Sequence, residues 1–107
     1  MRDIESVEDF DQVLAEAEGL VVVKFWASWC GPCKAFAPVV EEVAGQVGPL
    51  ATFVSVSIED IPALSSRYQV RTIPTLMFIK GGEVVDTKIG TCSADVLRDL
   101  VTDHSGE

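Results

Sequence analysis

Trp26-Ala27-Ser28-Trp29-Cys30-Gly31-Pro32-Cys33-Lys34 follows closely on the apolar run 20–23, and this stretch decides how the whole chain reads. A Cys-x-x-Cys at the junction of a strand and a helix is a redox device. Cys30 falls where the first backbone N–H groups of a new helix lack intrahelical partners and the macrodipole is positive. An anion is stabilised there, so the thiol loses its proton more readily and the reactive thiolate becomes more populated. Cys33 lies one helical turn further on, close enough to close a small disulfide ring. The spacing points to a nucleophile and a resolving partner.

The 107 residues are expected to form a single domain with one core. With 48% hydrophobic and 23% charged residues the composition is that of a soluble globular protein. Eight basic residues against seventeen acidic ones leave a net charge of -9. Nucleic acid and anionic membranes both demand a cationic footprint, so neither is expected as a partner. The opening Met1-Arg2-Asp3-Ile4-Glu5 has no basic region followed by an apolar one, and a cytoplasmic location is expected. In a reducing compartment, three cysteines with two in Cys-x-x-Cys read as redox chemistry.

Outward from the motif, the chain alternates helical and extended patterns. Ser6, with an acid three residues on, opens a helix carrying Phe10, Val13, Leu14 and Ala17, which Gly19 ends. Residues 20–27 are nearly all apolar, as in a central strand covered on both faces. The helix opening at Cys30 continues through Phe36, Val39, Val40 and Val43, with a kink expected at Pro38. Residues 51–58 read as a strand, and Ile61-Pro62 opens a short helix through Tyr68. Strands 75–80 and 83–89 are separated only by Gly81-Gly82, a hairpin signal. Ser93 caps a last helix carrying Val96, Leu97, Leu100 and Val101, and the polar tail 103–107 is expected to fray. Early crossovers require parallel strands and the hairpin an antiparallel pair, so the sheet is mixed, with helices on both faces. This is an α/β architecture.

Together these residues resemble the thioredoxin family. The motif 26–34 is similar to its active-site signature, and the likeness extends from about Asp3 to Val101. It includes Pro38, Ile73-Pro74-Thr75 ahead of the hairpin, Gly81-Gly82-Glu83 in the turn, and Gly90 after the last strand. The resemblance implies the thioredoxin fold and a cis Ile73–Pro74 bond packed against the active-site disulfide. It also implies a shallow groove formed by Trp29, Gly31, Pro32, Ile73, Pro74 and Gly90. There Ile73 would pair with an extended segment of a disulfide-containing substrate protein. The implied activity is protein disulfide reduction: the Cys30 thiolate attacks the substrate, and Cys33 resolves the mixed disulfide. An NADPH-dependent, flavin-containing thioredoxin reductase would recharge the pair. No cofactor is expected on this chain, since dinucleotide and phosphate-binding glycine patterns are absent, and a monomer is expected. Rival readings are a binding subunit using the Trp29/Pro74 groove, an oxidase or isomerase, and half a zinc site. Only Cys92 and His104 remain to complete the last.

One position departs from the family pattern. Where its members usually carry an aspartate, six residues before the first cysteine, this chain has Lys24, and Ser55 is expected to face it. Two readings follow. Lys24 either sits beneath the disulfide, taking the Cys33 proton and then stabilising the thiolate, or it leads its ammonium to solvent at the sheet edge. The second is favoured here, because a buried unpaired ammonium is costly. Cys92 reads as a small apolar filler or, alternatively, as a regulatory thiol near the groove that forms an intermolecular disulfide, and His104 reads as a solvated tail residue.

Overall fold

The computed structural model describes residues 1–106. Its elements are β1 (Arg2–Asp3), α1 (Val7–Glu16), β2 (Leu20–Trp26), α2 (Gly31–Val47), β3 (Ala51–Ser57), α3 (Pro62–Arg67), β4 (Thr75–Lys80), β5 (Glu83–Ile89) and α4 (Ala94–Ser105). The strands form a five-stranded mixed sheet in the order β1-β3-β2-β4-β5. β3 runs parallel to both β1 and β2, while β4 is antiparallel to β2 and β5.

Alternation along β2 explains the layering. Val21, Val23 and Phe25 face one side, where they pack with Phe10 and Val13 of α1 and Leu64 of α3. Leu20 and Val22 face the other, against Phe36, Val40 and Val43 of α2 and Leu97 and Val101 of α4. Both faces of β2 are therefore covered, which is why its sequence is almost continuously apolar. Lys24 belongs to the second set and points toward the α2 side.

Local signals place the connections. Ser6 and Ser93 accept from the Asp9 and Val96 amides and cap α1 and α4. Gly81 and Gly82 have φ of 61° and 81°, the left-handed pair that a two-residue hairpin demands. α2 is continuous through Pro38, which lies on its exposed face.

Four points differ from the sequence-based expectations. α1 stops before Gly19: the backbone turns extended at Ala17 (φ −71°, ψ 129°), whose N–H closes the final turn on the Val13 carbonyl. Strand β1 was unforeseen, because two residues carry no periodicity. The tail does not fray over its described part, since α4 continues to Ser105. The Lys80 ammonium donates to the His104 and Ser105 carbonyls, satisfying acceptors that a helix end leaves open. His104 Nε2 lies 2.9 Å from Asp86 Oδ2, and its ring packs on Phe78 at 5.6 Å, so it is no solvated tail residue. Glu107 lies outside the described residues.

Candidate functional site

The end of β2 delivers the chain to the motif, and each residue there has an identifiable anchor. The Ile58 amide donates to the Trp26 carbonyl at 2.9 Å, extending the β2–β3 ladder by one step. The Ser28 amide and hydroxyl both donate to Glu59 Oε1 at 2.8 Å, tying the loop to the segment after β3. These two bonds, the backbone one first, hold the Glu59 carboxyl below its ordinary range despite its exposure. The Cys30 amide then donates to the Ala27 carbonyl, closing the turn that enters α2.

Cys30 is the N-cap of α2, with extended backbone (φ −88°, ψ 108°). It is joined to Cys33 by a disulfide, with Cα atoms 5.2 Å apart. The Cys33 amide points at Cys30 Sγ, 3.1 Å away. An N–H at a helix start thus addresses Cys30 Sγ, an arrangement that stabilises negative charge on that sulfur. Pro32 suits this first turn because its missing N–H would have had no helical acceptor. Gly31 and Pro32 are exposed, Cys30 and Cys33 buried.

The opposite wall comes from the loop before β4. The Ile73–Pro74 peptide bond is cis. The Ile73 carbonyl oxygen lies 3.9 Å from Cys30 Sγ, and Ile73 packs with Ala27, Cys30 and Cys33. The Pro74 carbonyl accepts from the Gly90 amide at 2.9 Å. Gly90 has φ 83°, a conformation that disfavours any side chain there. Trp29 stands beside the disulfide with 67% of its surface exposed, a large aromatic face open to solvent.

Lys24 is where the sequence-based preference fails. β2 is the middle strand of five, so Lys24 has no sheet edge to reach, and it is only 7% exposed. Ser55 does face it in register. Lys24, Ser55, Asp3, Trp26, Cys33, Lys34 and Ala37 line one cavity of about 260 Å³ beneath the disulfide. The Lys24 ammonium lies 5.9 Å from the centre of the Trp26 ring, a favourable cation–π position. Burial pushes Lys24 below the ordinary lysine value, while the charges of Glu41 and Asp3 pull it back up. Cys92 is half-buried against the α2–α4 core, and desolvation raises its thiol. Among the described residues no group of three or more His, Cys, Asp or Glu could hold a metal ion.

Sequence reasoning missed Glu59, Asp3 and Glu41. Ser28 and Glu59 are 31 residues apart and meet only because β3 returns beside β2. No local pattern signals that pairing.

A disulfide at a helix N-terminus, walled by a cis X-Pro corner and an exposed aromatic, defines a dithiol–disulfide exchange site. The thioredoxin family model matches residues 3–103. The thioredoxin of Bacillus subtilis is 41% identical over 88 residues, covering 82% of this chain and 85% of the relative. Thioredoxin 1 of Synechococcus elongatus is 41% identical over 95 residues, covering 89% of each. Fasciola hepatica thioredoxin superposes with a TM-score of 0.90 at 34% identity, over 97% of this chain and 99% of that one. The chain belongs to the thioredoxin family, with the thioredoxin fold and the activity of a thiol–disulfide reductase.

Proposed function

We propose that the chain reduces disulfides in proteins, with Cys30 as nucleophile and Cys33 as resolving thiol. The observation that carries this division of roles is the asymmetry at Cys30. Its sulfur, not that of Cys33, receives the Cys33 amide and lies against the Ile73 carbonyl at the groove. The Cys30 thiolate attacks one substrate sulfur, forming a mixed disulfide and releasing the other as a thiolate. The Cys33 thiolate then attacks Cys30 Sγ, freeing the reduced substrate and regenerating the Cys30–Cys33 bond. Both sulfurs are largely covered in the oxidised form, Cys33 at 2% more so than Cys30 at 6%, which suits Cys33 to the intramolecular step.

Trp29, Gly31, Pro32, Ile73, Pro74 and Gly90 form the substrate surface in this proposal. Trp29 supplies apolar contact, and the backbone of Ile73 supplies hydrogen-bonding groups to an extended peptide. Lys24, buried beside Cys33, stabilises the thiolate formed during resolution. Electrons come from NADPH through a thioredoxin reductase, and the chain works as a cytoplasmic monomer. Among the described residues no helix is long and apolar enough to cross a membrane. The test follows NADPH oxidation with thioredoxin reductase and insulin, beside a chemically reduced control. Insulin reduction in both supports the proposal. Reduction only in the control removes that reductase as the partner, and none in either removes the reductase role.

A further inference from the structure

The cavity beneath the disulfide holds an unusual charge arrangement. Asp3, Ser55 and Lys24 form one rung across three adjacent strands: Asp3 pairs with Ser55, and Ser55 with Lys24. Above this rung runs α2, where Cys33, Ala37 and Glu41 recur at intervals of four and so share one face. Cys33 and Ala37 line the cavity, and Glu41 stands one turn beyond. The groups that share the cavity with Lys24 are thus Cys33 and Lys34 from α2, Asp3 from β1, Ser55 from β3 and Trp26 on its own strand, with Glu41 one turn further along α2. Leu76 is its apolar partner on β4. Asp3, on the edge strand, shares the cavity with the buried amine, and Glu41, exposed on the helix, lies one turn past the cavity lining. Neither closes an ion pair with it among the described residues, so both act through space.

We propose that Glu41 and Asp3 are positioning residues that hold Lys24 as an ammonium ion under Cys33, favouring the thiolate with which Cys33 resolves the mixed disulfide. The inference rests on the exchange roles given above and adds the source of the charge. Desolvation alone would drive Lys24 toward the neutral amine, which offers an anion nothing. Attraction from Glu41 and Asp3 opposes that desolvation and favours the protonated amine. During resolution Cys33 releases its proton to water. Its sulfur electron pair then forms the Cys33–Cys30 bond, while the Cys30–substrate bond breaks with its pair on the substrate sulfur. That sulfur takes a proton from water. The substrate disulfide gains the two electrons that the dithiol loses, and Lys24 stays protonated throughout.

Sign distinguishes this arrangement from simple electrostatics. Carboxylates acting directly on Cys33 repel its thiolate, so removing them would ease ionisation. Carboxylates acting through Lys24 do the reverse. The test titrates the Cys33 thiolate by its ultraviolet absorbance in full-length Cys30→Ser/Cys92→Ser protein, where Cys33 is the only thiol. The expected result is that Glu41→Gln with Asp3→Asn reduces the thiolate/thiol ratio by about threefold or more, half a pKa unit. In a Lys24→Met background the same pair should raise the ratio or leave it unchanged. Lys24→Gln serves as background if the Met variant does not fold. The same direction in both backgrounds, or no change with Lys24 present, overturns the proposal. The readout needs no turnover, so a failure here is separable from a failure to reduce insulin.

Discussion

Lys24→Met tests whether the structure assigns this residue correctly. Met keeps a long unbranched stem in a nearly closed site, where Lys24 is 7% exposed, and removes the charge. Such a volume-conserving change alone is tolerated. The variant loses the Trp26 ring contact, about 1–2 kcal/mol for a desolvated pair at the outer distance limit, and the attraction of Glu41 and Asp3. It also escapes the desolvation of a buried ammonium, the larger effect here, since replacing buried charges by apolar groups is often stabilising by about 1–4 kcal/mol. A net gain of about 1 kcal/mol at neutral pH is expected, raising Tm by about 4–8 °C.

The pH dependence makes this specific. The folded-state value of Lys24 is depressed below 10.5, so between the two values the unfolded chain binds more protons. Wild-type stability therefore rises with pH through that window. The advantage of Lys24→Met is full below the folded value and disappears as pH climbs to 10.5. Denaturant unfolding of both proteins across pH 7 to about 10.5 measures it. An advantage independent of pH would refute the reasoning, as would a variant less stable at neutral pH.

Other substitutions probe the groove, the loop and the core. Trp29→Ala should change stability by less than about 0.5 kcal/mol, because the ring is already 67% exposed. It should nevertheless slow insulin reduction by about tenfold, the loss of one aromatic anchor, and leave reduction of a small aromatic disulfide unchanged. Glu59→Gln should weaken protection of the Ser28 amide in hydrogen exchange. The Glu59 carboxyl is held low by Ser28, so its contribution is present above the ordinary carboxylate range and lost as pH falls through the folded value. The difference between variant and wild type, compared at each pH, should therefore narrow on acidification. Leu97→Ala, at a fully buried position between α4 and the sheet, should cost about 3 kcal/mol by chemical denaturation.

The order of the major elements was readable because each carries its own local signal. Ser6 and Ser93 mark helix starts, Gly81-Gly82 marks a hairpin, and the doubly apolar 20–23 marks a central strand. The cysteine pair was readable for the same reason, since Cys30 caps α2 and Cys33 lies in its first turn. What escaped depends on elements distant in sequence. β1 exists only because β3 offers it an edge, and α4 extends through His104 because Lys80 and Asp86 of the β4–β5 hairpin receive it. Lys24 shows the limit most clearly. Its strand position was legible, yet whether an amine there reaches water depends on which strands flank β2. A β3 on one side and a β4 on the other close both routes.

The division of labour between the two cysteines is central to disulfide exchange at this site. Full-length Cys33→Ser and Cys30→Ser proteins, each also carrying Cys92→Ser, can be mixed with an activated disulfide-bonded protein substrate. Non-reducing electrophoresis then reads the covalent adducts. Cys33→Ser should accumulate a mixed disulfide through Cys30 that a reductant releases, while Cys30→Ser should form little or none. Equal trapping by both, or trapping through Cys33 alone, would contradict the assignment of Cys30 as the attacking thiolate.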